Sequence, residues 1–194
     1  MSRDQPLPSS VWDRLRFLLG CVHWWVLGAA PVLAMAVAAA TVAGWYTPPK
    51  WFLEQLALFV TGGFGLGCLL RFVLSRERYF LWAATIMAVL MGRELRFGGP
   101  AGLVYPALGL LGWIALRRLD ELRYRLGHPA LLTALALGFF IYAISVAVDQ
   151  RWARGLPEER VWNVPLEETL EVMGHLTFGL ALLVAPRVPS GRDE

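Results

Sequence analysis

Long apolar blocks dominate the chain, and short polar segments separate them. Six of these blocks approach the length of about 20 residues that a helix needs to cross a bilayer. We therefore predict an all-α fold, a polytopic integral membrane helix bundle with six transmembrane helices. The predicted spans are residues 15–44, 51–74, 79–96, 100–118, 130–150 and 165–186. They form a single domain, 1–186, which is followed by a short tail, 187–194.

Polar, proline and glycine residues mark the ends of the predicted helices. Ser10 and Asp13 have the spacing of a capping box, which predicts that the first helix starts beside Ser10. That helix is expected to run through its whole apolar block, with a kink at Pro31, where a backbone hydrogen bond is lost. The fourth helix is expected to continue as a charged amphipathic segment, 117–127. The sixth is expected to begin near Pro165, because proline is favoured in the first turn of a helix.

Composition agrees with this class of protein. Hydrophobic residues make up 57% of the chain and charged residues only 17%, whereas about a quarter of the residues in a soluble domain are charged. The nine tryptophans are typical of the aromatic belts at membrane interfaces. The net charge is only +3, and basic residues do not alternate with aromatic ones, so nucleic acid is not an expected partner. The expected partner is the lipid bilayer of the cell (cytoplasmic) membrane.

The distribution of Lys and Arg predicts how the bundle is oriented. The N-terminal segment, the second and fourth loops and the tail hold twelve of the 18 basic residues. Because basic residues accumulate on the cytoplasmic side, both termini are expected in the cytoplasm. The remaining six, expected on the outer side, are Lys50, Arg93, Arg96, Arg151, Arg154 and Arg160.

Small residues on the second span predict close helix packing. Gly63 and Gly67 have the GxxxG spacing that lets another helix approach closely. The neighbouring helix belongs either to this chain or to another membrane subunit. The first helix is a second candidate surface for contact with such a subunit. Cys21 and Cys68 lie in predicted spans without a nearby cysteine or histidine at metal-ligand spacing, so we interpret both as small buried hydrophobic residues.

Ionisable residues gather at the outer ends of the predicted spans. On the sixth span, Glu168, Glu171 and His175 have i, i+3 and i+7 spacing and therefore share one helix face. Charges in lipid are costly, so these side chains are expected to point into the bundle. The candidate ion- or ligand-binding residues are Glu54, Arg93, Glu94, Asp149, Glu168, Glu171 and His175, with Glu167 beside them.

Several chemistries suit this cluster. Carboxylates and an imidazole are ligands for a divalent metal ion, here Glu168, Glu171 and His175, and they also relay protons or bind cations. A structural alternative is that Glu167 and Glu168 lie in the first turn of the helix and stabilise its positive end. Another is that Arg93 and Glu94 form a structural ion pair. Haem or pigment is not expected, because His23 and His175 lie at different depths.

Three functions follow from these interpretations. The first is a binding or transport protein with an outward-facing acidic intramembrane site for a cation, a proton or a small cationic or lipid ligand. The second is an accessory or scaffold subunit of a larger membrane complex, with no site of its own. The third is a membrane-embedded metal-dependent hydrolase. Because no catalytic signature is present in the sequence, the first two are favoured over an enzyme.

Overall fold

The fold is a bundle of helices. The computed structural model describes residues 10–95, 104–152 and 154–186, and within these ranges it contains no strand. The elements are α1 (Val11–Gly20), a short 3-10 helix (Trp24–Gly28), α2 (Ala29–Val42), α3 (Lys50–Ser75), α4 (Arg78–Glu94), α5 (Val104–Arg117), α6 (Leu119–Leu126), α7 (Pro129–Asp149) and α8 (Glu159–Val184). The predicted all-α class is therefore confirmed.

Three helical segments of the described chain are long and apolar enough to cross a membrane. They are Trp24–Val42, Lys50–Ser75 and Pro129–Asp149. The last two match the predicted second and fifth spans to within about one residue at each end. The fourth predicted span corresponds to a shorter apolar helix, Pro106–Arg117. These segments have the length and composition that helices of membrane proteins require.

The first predicted helix is divided in the structure. Its predicted start is correct, because the backbone N–H of Asp13 donates to Ser10 Oγ at 3.1 Å and α1 begins at the next residue. The helix ends at Gly20, however, instead of continuing through the apolar block. The chain turns at Cys21, whose N–H bonds to the carbonyl of Leu18 at 3.1 Å. The prediction of one continuous helix over 15–44 is therefore wrong.

The break allows a second helix to start close to Pro31. This proline is the third residue of α2 and lies in its first turn, where a missing N–H removes no helical hydrogen bond. Pro31 therefore lies where it favours the start of α2, and not in the interior of one long α-helix as expected. Just before the 3-10 helix, the backbone N–H of His23 donates to Thr133 Oγ1 on α7 at 3.0 Å. That bond satisfies a donor that the broken helix leaves free.

Helix α8 begins earlier than predicted. It starts at Glu159, and Pro165 lies inside it. Trp162 explains the extra length, because its ring is buried against α2 and α7 and its Nε1 donates to the carbonyl of Pro157 at 2.9 Å. Glu168 is consequently more than two turns from the helix N-terminus. The explanation of Glu167 and Glu168 as first-turn acids is therefore wrong.

Two other predicted boundaries need comment. The charged segment after the fourth span forms a separate helix, α6, because α5 ends at Arg117 and the chain turns at Arg118. The predicted end of the third span and start of the fourth fall within 96–103, which is outside the described residues. The tail, 187–194, is outside them as well.

Helix α8 lies at the centre of the bundle and packs against α2, α3, α4 and α7. Its close contact with α3 depends on Gly179, where an added Cβ would overlap the ring of Phe64. Gly67 on α3 also faces α8, with Leu183 3.2 Å from the position of an added Cβ. Gly63, by contrast, has no atom within 4 Å of that position. Of the predicted glycine pair, only Gly67 packs against this chain.

Two arginines, one buried and one exposed, bond to the far end of α8. Arg125 has a side chain that is 4% exposed, and it forms an ion pair with Glu77 at 2.7 Å. It also donates to the carbonyl of Ala185, beyond the last turn of α8. Arg71 donates to the carbonyl of Leu183 in the same turn. These contacts define the arginine-rich end of the bundle, where α3 and α8 end and α4 and α7 begin.

Candidate functional site

A small acidic pocket lies at the opposite end, where α3 begins and α4 ends beside the middle of α8. Its volume is about 160 Å³. We call it the acidic pocket; its lining residues are Lys50, Glu54, Leu58, Arg93, Glu94, Glu167, Glu168 and Glu171. With all of these side chains ionised, five carboxylates face two cations. The pocket therefore carries a formal charge of three negative.

Lys50 and Glu168 form the outer ion pair of the pocket. Lys50 is the first residue of α3, directly after two prolines, and its side chain is half exposed. Its Nζ lies 2.8 Å from an oxygen of Glu168, which is only 9% exposed, and 3.8 Å from Glu54. The Glu54 side chain is 38% exposed. An ammonium group therefore connects a buried carboxylate to one at the surface.

Arg93 and Glu171 form a second, deeper ion pair. Arg93 lies in the last turn of α4, and its guanidinium donates to a carboxylate oxygen of Glu171. The Glu171 side chain is 9% exposed and that of Arg93 is 24% exposed. Glu168 and Glu171 are three residues apart and share one face of α8. Glu168 pairs with Lys50 and Glu171 pairs with Arg93. The predicted arrangement on one face therefore brings two ion pairs side by side.

His175 continues this face of α8 into the interior. Its side chain is fully buried, and its Nε2 lies 3.1 Å from Oε1 of Glu94. Its other ring nitrogen, Nδ1, is hydrogen-bonded to the hydroxyl of Tyr142 on α7. Gly174 makes room for that tyrosine, because a Cβ there would lie 2.9 Å from Tyr142 Cε2. Both nitrogens of the buried imidazole therefore have partners.

The structure brings most of the predicted site residues together, with one exception. Glu54, Arg93, Glu94, Glu168 and Glu171 all line the acidic pocket, and His175 contacts its inner side through Glu94. Asp149 does not line the pocket. It is exposed at the end of α7, where its carboxylate accepts a hydrogen bond from Gln150 at 3.3 Å.

The predicted metal site has little geometric support. Among the described residues, no group of three His, Cys, Asp or Glu side chains is arranged so that it could hold a metal ion. The three predicted ligands bond to separate partners instead: Glu168 to Lys50, Glu171 to Arg93, and His175 to Glu94 and Tyr142. His23, considered as an axial ligand, is exposed and precedes the 3-10 helix.

Sequence reasoning missed two participants in the site. Lys50 is predicted only as one of the basic residues on the outer side, yet its Nζ lies 2.8 Å from Glu168. Tyr142 is not among the predicted site residues, although it is the one tyrosine within the apolar run of α7 and its partly buried hydroxyl needs a polar partner. A further polar contact joins Tyr46 to Thr169 on α8 at 3.0 Å.

The side chains form a graded series from the surface to the core. Exposure falls from Lys50 and Glu54 at the mouth, through Glu168 and Glu171, to the fully buried His175. An ionised carboxylate is stabilised by a nearby cation, and burial favours its protonated form. Comparison of the chain with known protein families, with curated proteins and with solved structures gives no match.

Proposed function

We propose that the protein crosses the membrane six times, with both termini in the cytoplasm. Support comes from the arrangement of α3, α4, α7 and α8, which run alternately between the acidic pocket and the arginine-rich end. At 26 residues, α3 is about 39 Å long, enough for a hydrocarbon core of about 30 Å. Although α8 is too polar to count as an apolar span, its deepest ionisable residues, Glu168, Glu171 and His175, are buried by other helices and need not face lipid.

Exposed tryptophans at both ends of the bundle support the same placement. Tryptophan rings favour the two interfaces of a bilayer, and of the exposed ones in the described part of the chain, six with at least half of their surface exposed divide between the two ends of these helices. Near the acidic pocket they are Trp45, Trp51 and Trp152, and towards the other end they are Trp12, Trp24 and Trp25. Between them, α3 presents apolar side chains outward, among them Phe59 at 76% exposure and Leu66 at 68%. A reporter fused to the C-terminus is expected inside the cell, and an external reporter would refute this orientation.

Within this topology, the acidic pocket binds a small cation from the outer side of the membrane. The observation that carries this proposal is the surplus of negative charge in a confined space: five glutamates and two cations line about 160 Å³. That volume corresponds to roughly five water molecules. It suits an ammonium-type group, a hydrated monovalent ion or the amine of a lipid headgroup, and it excludes a bulky ligand.

The contact between Lys50 and Glu168 indicates which ligand chemistry is accepted. Nζ of Lys50 already places an ammonium group 2.8 Å from the Glu168 carboxylate. Because Lys50 is half exposed and has a flexible side chain, an incoming ammonium can replace it while Lys50 withdraws to water. Arg93 stays on Glu171 and limits the remaining negative charge. His175 supports the pocket from behind through its contact with Glu94.

The test is a native mass spectrum of the protein extracted gently from its own membrane, beside Glu171→Gln. The proposal predicts a small cationic ligand on the wild type, or lipids with amine headgroups. It also predicts that Glu171→Gln loses this ligand while it keeps the fold, because the released Arg93 then neutralises the remaining carboxylates of the pocket. Wild-type protein without any bound cation or amine lipid, even after incubation with ammonium ions, would refute the proposal.

A second candidate function is that of an accessory or scaffold subunit. The observation that favours it is that Glu168, Glu171 and His175 are already paired within the chain. The open face around Gly63 would accept a helix of another subunit. This candidate predicts a stoichiometric protein partner in the same mass spectrum, and a loss of stability or of the partner in Glu171→Gln. No arrangement among the described residues favours the metal-dependent hydrolase.

A further inference from the structure

A second cavity lies at the arginine-rich end, between α4 and α5, with the start of α6 at its rim. Its volume is about 490 Å³, within the range of about 300–1,000 Å³ that is typical of ligand pockets. It has no lining residue in common with the acidic pocket. We call this cavity the arginine groove.

The walls of the arginine groove are apolar, and they face sideways out of the bundle. They include Leu81, Trp82, Leu111 and Ile114. Trp82 is held in place by a hydrogen bond from its Nε1 to the carbonyl of Leu111 at 3.0 Å. Leu81 is 44% exposed and Ile114 is 37% exposed. An apolar chain lying beside the bundle therefore has access to the groove.

The rim of the arginine groove is basic. Arg76, Arg78 and Arg118 line it, together with one acid, Glu121. Glu121 is shared, since its carboxylate lies 2.5 Å from Arg78 and 4.0 Å from Arg118. Arg76 has no ion-pair partner among the described residues. The rim therefore keeps a formal charge of two positive.

The backbone at Arg76 gives an independent reason to consider this residue functional. It ends α3 in the left-handed conformation, with φ of 58°. Glycine is usual at this position of a helix end, because a side chain disfavours the left-handed region. The sequence thus places a long basic side chain where the fold alone would favour glycine.

We propose that the arginine groove binds an anionic phospholipid. The phosphate lies among Arg76, Arg78 and Arg118, and one acyl chain lies along Leu81 and Ile114. Basic pockets between membrane helices are recognised sites for anionic headgroups on the cytoplasmic side, where such lipids are abundant. The proposal rests on the membrane placement given above, but not on cation binding in the acidic pocket, so each can fail alone.

The test is a native mass-spectrometric titration of the full chain in a non-ionic detergent. Phosphatidylglycerol and phosphatidylcholine with the same acyl chains are the two probes. Each basic residue near the membrane surface strengthens binding of an anionic lipid about fivefold. The net charge of +2 at the rim therefore predicts that phosphatidylglycerol binds about 30-fold more tightly than phosphatidylcholine. Equal affinity for the two lipids would overturn the proposal.

Two variants and a control make the test specific. Arg76→Gly is expected to weaken phosphatidylglycerol binding about fivefold, while its melting temperature stays unchanged or rises because the left-handed backbone suits glycine. Arg118→Gln is expected to weaken phosphatidylglycerol binding by a similar factor. Arg160→Gln is the control, because Arg160 is exposed at the opposite end, and it should bind as the wild type does.

Other occupants of the groove would give different results. If inorganic phosphate at millimolar concentration displaced phosphatidylglycerol completely, the site would be one for free anions, and the lipid proposal would be wrong. If Arg76→Gly changed self-association of the chain and left lipid binding intact, the groove would be an interface between copies. Wild-type lipid binding by a stable Arg76→Gly protein would overturn the proposal directly.

Discussion

Replacing Gly179 with alanine is expected to disrupt the contact between α3 and α8. An added Cβ would lie 2.8 Å from Cε2 of Phe64 and even closer to its Cδ2 and Cγ atoms. Cγ is held close to the α3 backbone, so rotation of the ring alone does not relieve the overlap. Either the two helices separate or Phe64 leaves its preferred rotamer. Gly63, with nothing within 4 Å, is the matched control on the open face of α3.

The expected magnitudes follow from two opposing effects. Overpacking in a well-packed interior costs about 1–3 kcal/mol, and the severe overlap with Phe64 places Gly179→Ala near the upper value. Replacing glycine by alanine inside a helix recovers about 0.5–1 kcal/mol. Gly179→Ala is therefore expected to destabilise the protein by about 2 kcal/mol, whereas Gly63→Ala is expected to stabilise it by about 0.5–1 kcal/mol.

Thermal unfolding in detergent measures the difference. For a protein of this size, about 2 kcal/mol corresponds to a decrease in Tm of about 4–8 °C. Gly179→Ala combined with Phe64→Leu should be more stable than the sum of the two single effects, because the smaller side chain removes the overlap. Equal Tm values for Gly179→Ala and Gly63→Ala would refute the described packing of α3 on α8.

Two further substitutions test polar contacts in the interior. Arg125→Leu is expected to destabilise the protein by about 3 kcal/mol, because Glu77 loses its buried partner. Arg16 is the control, because its side chain is 82% exposed. The free energy of unfolding of Arg16→Leu should stay within about 0.5 kcal/mol of the wild-type value. Tyr142→Phe should cost about 1–2 kcal/mol by leaving a nitrogen of the buried His175 without its partner. Thermal unfolding checks both, and stabilities like that of the wild type would contradict the described contacts.

Helix boundaries were predictable where the sequence changes abruptly. The span now seen as α3 begins after Pro48 and Pro49 and ends before the charged residues 76–78, so its apolar length was clear from the sequence. The break after α1 was not, because the residues around Cys21 are as apolar as the helices on either side. It depends on turn hydrogen bonds and on the contact of His23 with Thr133, which a pattern of apolar residues does not contain.

The acidic site was predictable in part, for a geometric reason. Spacing along one helix places Glu168, Glu171 and His175 on one face, and burial of all three agrees with this. Their partners come from α3, α4 and α7, and the order in which helices pack around α8 is a tertiary property. Lys50 and Tyr142 were therefore missed as direct partners, while the proline rule gave the wrong start for α8 because the packing of Trp162 extends the helix.

The central claim is that the acidic pocket binds a small cation. Calorimetric titration of the purified protein with methylammonium tests this claim most directly. Three proteins are compared: wild type, Glu168→Gln in the pocket, and Asp149→Asn, which removes an exposed carboxylate outside it. A charged hydrogen bond contributes about 1.5–3 kcal/mol, so Glu168→Gln should weaken binding at least about tenfold. The charge of Asp149 acts on Glu167 only from outside the pocket, so Asp149→Asn should weaken binding much less than Glu168→Gln does. Binding that is absent in all three proteins, or equally strong in Glu168→Gln and wild type, would contradict the claim.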